Sequence, residues 1–264
     1  MRRARAGTIS GMRIATFNIL SGRSPRDDRV HEGRYVEAIK RLDADLLGLQ
    51  EVDRNQPRSE HADLTAIAAA AMGAVDHQFV AALSGTPGAI WAAATGEEQP
   101  DAAAYGVAFL SRFPVTGWQV VRLPPAPGRV PHRWHGAVLP DWVRDEPRVA
   151  VVAEVQAPDG PLRVATTHLS FLRLWNVHQL RVLLRGLGDA RDVPLVLMGD
   201  LNMGRRTAER VTGLRPLATG PTFPSSGPTL QIDHLLASDP ALSPRWSGPV
   251  TLPMSDHCAL VADL

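Results

Sequence analysis

The chain has 264 residues, 44% hydrophobic and 21% charged, a composition that excludes an intrinsically disordered protein and is large enough to bury a sizeable core. Lys+Arg 28 against Asp+Glu 27 leaves a formal net charge of +1, so no global field advertises nucleic acid or an acidic membrane surface as partner. The single cysteine, Cys258, excludes an intrachain disulfide and a multi-cysteine zinc site.

Residues 1–11 carry Arg2, Arg3 and Arg5 but lack the apolar stretch of a signal peptide. They offer almost nothing to bury, so a disordered, dispensable extension is expected ahead of one domain over residues 12–264. Arg13–Asn18 reads as a strand, Gly33–Leu42 as a helix by the spacing of Val36, Ala38, Ile39 and Leu42, and Asp45–Gln50 as a buried strand. Asp63–Met72 is an alanine-rich helix stopped by Gly73. Phe79–Leu83, Tyr105–Leu110, Trp118–Val121, Arg148–Gln156 and Leu162–Thr167 read as strands. Trp175–Leu187 is a helix with Val177, Leu180, Leu183, Leu184 and Leu187 on one side, and Leu195–Met198, Ile232–Ala237 and Cys258–Val261 are further short strands. Strand-rich stretches broken by few helices predict an α+β protein with two packed sheets and helices outside. Leu123–Pro147, with six prolines plus Trp134 and Trp142, is expected to be one long surface loop, read either as the element that selects the substrate or as one that caps the sandwich and buries its tryptophans. The longest apolar stretches, such as Leu64–Met72, are far too short to cross a bilayer, so a soluble, cytoplasmic protein is expected.

Polar residues suited to metal or phosphate recur at the ends of these strands. Asn18 ends Ile14–Phe17, Glu51 ends Leu46–Gln50 and His168 ends Val164–Thr167. Asp200 and Asn202 follow Leu195–Met198, Asp233 opens Ile232–Ala237, and Asp256–His257 precede the last strand. A strand end holds a side chain rigidly at the rim of a sheet while leaving it open to solvent. Any one of these has a bland explanation as a turn or capping residue. Together they form a set able to bind a hard divalent ion through carboxylate oxygen and to orient water and phosphoryl oxygens.

The segments Thr16-Phe17-Asn18-Ile19-Leu20, Leu49-Gln50-Glu51-Val52, Ala108-Phe109-Leu110-Ser111-Arg112-Phe113-Pro114, Thr167-His168-Leu169, Gly199-Asp200-Leu201-Asn202, Ile232-Asp233-His234 and Ser255-Asp256-His257 occur in that order. In this they resemble the endonuclease/exonuclease/phosphatase superfamily, over nearly the whole chain from Arg13 to Leu264. The resemblance implies a four-layered α/β/β/α sandwich with mainly antiparallel sheets. It implies a Mg²⁺- or Mn²⁺-dependent phosphoester hydrolase, acting as phosphodiesterase, nuclease or phosphatase. Glu51 matches the principal metal ligand, with Asn18 beside it at metal and phosphate and Asp256 a second acidic group near the metal. Asp200 matches the residue that aligns or deprotonates water, Asn202 the phosphoryl contact, and His257 the histidine at the scissile phosphate, oriented by Asp233. His168 matches a further histidine that contacts phosphate or acts as an acid.

Outside the pattern, Arg54 is a candidate phosphate contact, with a solvated surface arginine as the alternative. Asp53 is read as a turn residue and Tyr105 as a core tyrosine, while His61, His77, His132, His135, His178 and His234 are read as structural or surface residues. Lys40 is the only lysine. So strong an arginine bias weakens the reading of any arginine cluster, including Arg122, Arg129, Arg133 and Arg144, as a nucleic-acid groove. The expected partner is a phosphoester substrate, nucleic acid among the candidates, and the expected state is a monomer. A lipid phosphodiesterase is the competing enzyme, and a non-catalytic binding module would have lost Glu51, Asp200, Asn202 or His257.

Overall fold

The computed structural model describes residues 11–133, 139–188 and 193–264. Two large sheets form the frame. The seven-stranded sheet runs Trp246–Val250, Ala259–Asp263, Arg13–Asn18, Leu46–Arg54, Ala104–Ser111, Asp76–Gly85, Trp91–Ala93 in spatial order. The six-stranded sheet runs Arg215–Pro216, Asp233–Ala237, Leu195–Asp200, Gly160–His168, Arg148–Ala157, Val115–Leu123. One neighbouring pair in each is parallel, Arg13–Asn18 with Leu46–Arg54 and Gly160–His168 with Leu195–Asp200; the rest are antiparallel.

Alternation of side chains explains why the central strands are apolar on both faces. Ile14, Leu46, Val151, Val164, Met198 and Leu260 point between the sheets. Ala15, Phe17, Leu47, Leu49 and Val261 point outward, against Tyr35, Ile39, Leu42, Leu64 and Met72 on the helices Glu32–Leu42 and Leu64–Met72. On the far side Ala150, Val152 and Leu197 meet Leu180, Leu183 and Leu187 of Trp175–Leu187 and Ala208 of Arg205–Thr212. The result is the expected α/β/β/α sandwich. Asp63 caps its helix, its Oδ1 accepting from the Ala66 amide at 2.9 Å, and Gly73 ends it at φ +70.

The sheets are in close contact near the site. A Cβ on Gly48 would fall 2.6 Å from both Met198 Sδ and Thr166 Oγ1, so only glycine fits there. Two residues on, Gln50 Nε2 donates to Thr166 Oγ1 across the sheets at 3.1 Å, and Thr16 Oγ1 donates to Gln50 Oε1 at 3.2 Å.

Three expectations are corrected. Leu123–Pro147 is not one irregular loop, because Arg129–His132 and Asp141–Arg144 pair as an antiparallel hairpin. Trp142 is exposed on it, whereas Trp134 and His135 lie outside the described residues. Asp53 is no turn residue; it is fully buried in Leu46–Arg54 and takes a two-pronged ion pair from Arg58 at 2.7 and 2.8 Å. Glu51 does not end its strand. It sits inside it, at a bulge. The proposed extension, residues 1–11, lies outside the described residues except for Gly11, whose amide donates to the Leu264 carbonyl. No helix among the described residues is long and apolar enough to cross a membrane.

Candidate active site

Asn18 and Glu51 come from the seven-stranded sheet, and the Asp256–His257 turn leads into its strand Ala259–Asp263. Arg148, His168, Asp200 and Asp233 come from the six-stranded sheet. Register brings the second set together: His168 lies opposite Asp200, and Asp200 opposite Asp233.

Asp200 is the centre. Its Oδ2 accepts from Asn18 Nδ2 at 3.1 Å and its Oδ1 from the Asn202 amide at 2.9 Å, so both oxygens are held. His168 Nε2 lies 3.6 Å and His257 Nε2 3.8 Å from Oδ2. Behind His257, Nδ1 meets Asp233 Oδ2 at 2.9 Å, and Thr222 Oγ1 donates to the same oxygen at 2.5 Å. Phe223 packs on the ring, its centroid 4.9 Å away. Ser255, at φ +64, ties the turn down by donating from Oγ to the Asn18 carbonyl at 2.6 Å while accepting from the His257 amide at 3.1 Å.

Glu51 is delivered by backbone irregularity. It occupies the bulge between Gln50 and Val52 at φ +54, a conformation that costs free energy in a non-glycine residue and is common where a side chain must be re-aimed. Its Oε1 accepts from Asn18 Nδ2 at 3.1 Å. Asn18 thus bridges Glu51 and Asp200. Asn202 also stands at positive φ, +49, and its Nδ2 donates to the Leu169 carbonyl at 3.0 Å. Asn176, in the first turn of Trp175–Leu187, clamps the Asn202 carbonyl at 2.7 Å.

Electrostatics separate the two histidines. Burial opposes a charge on His257, but the carboxylates of Asp233, Asp200 and Asp256 overcome it and push its pKa up to about 10. Burial, Arg148 and His257 all drive His168 the other way, well below the usual imidazole range. Burial and then Asp233 raise Asp200 to about 7, against the pull of His257. Burial likewise raises Glu51, with Asp256 adding to the shift and Asn18 and His257 opposing it.

The donor set fits a hard divalent cation. Glu51 and Asp256 repel one another, and Asp256 Oδ1 is buried without a hydrogen-bond partner among the described residues; an oxygen-binding ion relieves both strains. Asp200, Asp233 and His257 also offer ligand atoms within 4.8 Å of one another, but Asp233 Oδ2 and His257 Nδ1 already face each other. Because Glu51 and Asp200 bind protons more tightly folded than unfolded, the stability they add in the metal-free protein is present at low pH and lost as pH rises towards about 7. A cation held by Glu51 must displace its proton. The rise in Tm given by Mg²⁺ is therefore expected to be smallest at low pH and to grow as pH rises; a Tm increment independent of pH would contradict carboxylate ligation.

Arg54 is not drawn into this cluster. Its guanidinium lies over the Phe79 ring, 5.0 Å from the centroid, beside a concavity shared with Gln78, Glu98 and Arg122. Tyr105 is buried against Trp91, and His234 is buried with Nε2 at the Met203 carbonyl, 2.8 Å away. The hairpin and the start of Trp175–Leu187 enclose a groove of about 820 Å³ lined by Val130, Pro131, Leu172 and Trp175. Sequence reasoning missed Thr222 and Arg148, and noted Ser255 in its segment without giving it a role. Arg148, nearly fully buried with Nη1 donating to His168 Nδ1 at 3.2 Å, was readable only as an arginine opening a valine-rich strand.

The Endonuclease/Exonuclease/phosphatase family model matches residues 15–257, and the chain belongs to that family. Membership points to phosphoester hydrolysis as the broad activity. Among curated proteins no match is found. Of solved structures, an endonuclease/exonuclease/phosphatase from Beutenbergia cavernae is similar at 26% identity and TM-score 0.66, covering 96% of this chain and 71% of that one. A mannosyl-6-phosphatase from Bacteroides thetaiotaomicron is similar in fold at 17% identity and TM-score 0.65, covering 95% and 98%. Truncated TDP2 from Caenorhabditis elegans shares the fold at 16% identity and TM-score 0.59, covering 97% and 98%.

Proposed function

We propose that the protein hydrolyses phosphoesters by metal-assisted, in-line attack of water. The observation that carries this reading is the convergence on Asp200 of two asparagines and two histidines from both sheets. Mg²⁺ or Mn²⁺ held by Glu51, Asn18 and Asp256 would supply charge neutralisation at the phosphoryl and leaving oxygens. Asp200, oriented at both oxygens, takes the proton of the attacking water. His257, kept cationic by Asp233, faces the phosphoryl group and stabilises its growing negative charge. Asn202 and His168 line the same wall and contact the phosphoryl oxygens.

The test is hydrolysis of bis-p-nitrophenyl phosphate, p-nitrophenyl phosphate and plasmid DNA, with Mg²⁺, with Mn²⁺ and with EDTA. Turnover of at least one substrate with metal, abolished by EDTA, is the expected result, and its pattern separates monoesterase, diesterase and nuclease. Folded protein inactive on all three with either metal would overturn the reading. Equal turnover with EDTA would overturn the metal. Run on Trp142→Ala, the same panel tests the hairpin's role in selection: the preferred ester is expected to lose kcat/KM while the others hold.

A further inference from the structure

The two histidines that face Asp200 stand on opposite supports. His257 backs onto a carboxylate, Asp233 Oδ2 at 2.9 Å from its Nδ1. His168 backs onto a guanidinium, Arg148 Nη1 at 3.2 Å from its Nδ1. A guanidinium has only N–H donors and keeps its charge at every working pH. His168 Nδ1 must therefore offer its lone pair, which leaves the ring's one proton on Nε2.

We infer that Arg148 is a positioning residue that locks His168 as a neutral imidazole with its proton on Nε2, so that His168 serves as a hydrogen-bond donor to a phosphoryl oxygen and not as the acid that protonates the leaving group. This rests on the hydrolytic reading above and assigns one role within it. A charged His168 would need a second proton on Nδ1, where it would face the guanidinium N–H directly. Arg148 opens the strand Arg148–Ala157, is itself buried, and is steadied from behind by Glu146, whose Oε2 is 3.5 Å from Nη2.

Nε2 faces one acceptor and one donor. Asp200 Oδ2 lies 3.6 Å away, a carboxylate oxygen on the cleft side. Asn202 Nδ2 lies 3.2 Å away, and one of its two N–H donors is taken by the Leu169 carbonyl. An imidazole with N–H donors near both nitrogens accepts from only one, and the charged guanidinium takes Nδ1. The Nε2 proton then points to Asp200 and, with substrate bound, to a phosphoryl oxygen. A fixed donor of this kind is already oriented before reaction, which is how such groups stabilise developing charge. The division of labour follows: of the two imidazoles at Asp200, only His257 carries a proton that it can release.

The test is ¹⁵N-edited NMR of the imidazole nitrogens in the full-length wild-type protein near neutral pH, with His168 assigned through His168→Gln. A bare Nδ1 and a protonated Nε2 are expected; a proton on Nδ1, alone or with Nε2, overturns the inference. In Arg148→Met the lock is gone and a mixture of the two tautomers is expected, whereas an unchanged spectrum would show that Arg148 does not set the proton's place. The wild-type spectrum decides the tautomer even if that variant does not fold. In turnover, His168→Ala is expected to fall by about 100-fold, the scale of one lost oxyanion donor. His168→Gln, which keeps a donor but cannot act as an acid, is expected to recover about 10-fold of that loss; equal inactivity of the two variants would favour proton transfer and overturn the role. The tautomer is read without turnover, so failure of the hydrolytic reading and failure of this one are told apart.

Discussion

Glu51→Gln is expected to leave the protein folded and to lower kcat by at least about 100-fold at saturating Mg²⁺, the scale on which loss of a preorganised charge is felt. The substitution keeps the shape, the bulge and the Asn18 contact at Oε1. What it removes is the negative charge that a hard cation requires. Stability is expected to move the other way. The carboxylate lies half-buried in repulsion with Asp256, so a neutral amide relieves strain and Tm should hold or rise in the absence of metal, as is common when a functional charge is removed. Steady-state kinetics with a parallel melt checks both halves. Wild-type turnover in Glu51→Gln would remove Glu51 from the metal site.

Asp200→Asn is the second large effect, again a loss of at least about 100-fold in kcat, the scale for a general base. The Asn202 amide can still donate to the remaining carbonyl oxygen, but the new amide nitrogen must then face the Asn18 Nδ2 donor that was held at 3.1 Å by Oδ2. The variant thus loses the proton acceptor and gains a donor opposite a donor. His257→Ala should fall by a similar factor, because the cation facing the phosphoryl group is lost, and Asp233 would keep only Thr222 at its Oδ2. Far-ultraviolet circular dichroism of both variants should match the wild type. Activity lost only in step with that signal would make these residues structural.

Apolar runs bounded by Asn18, His168 and Asp200 place those residues at a sheet rim by length, and strand-rich stretches broken by few helices give two packed sheets with helices outside. The four-layered sandwich and the roles of the site residues were legible only through the resemblance carried by the seven ordered segments. Other parts depend on events that periodicity does not register. Glu51 stands one residue out of step because a bulge inserts it, and an inserted residue leaves no mark in an otherwise apolar strand. Asp53 looks like a turn residue until Arg58, carried by the short turn at Pro57–Ser59, folds back on it. The hairpin was hidden by Pro131, which a short two-stranded ribbon tolerates where a central strand would not. The helix Arg205–Thr212 buries only Ala208, too little to print an apolar stripe. Arg148 was obscured by the chain's own arginine excess, since a buried functional guanidinium and a compositional one are spelled alike.

The glycine at position 48 and the Gln50–Thr166 bond leave the two sheets no slack. Each sheet carries half of the reactive groups, yet they are joined at side-chain contact within a few residues of Glu51 and His168. An enzyme whose halves swing on a hinge can admit substrate by opening and complete its machinery by closing. Here the side chains of both sheets already stand together over that joined floor, so the selection of one ester over another falls to the surrounding loops and the hairpin.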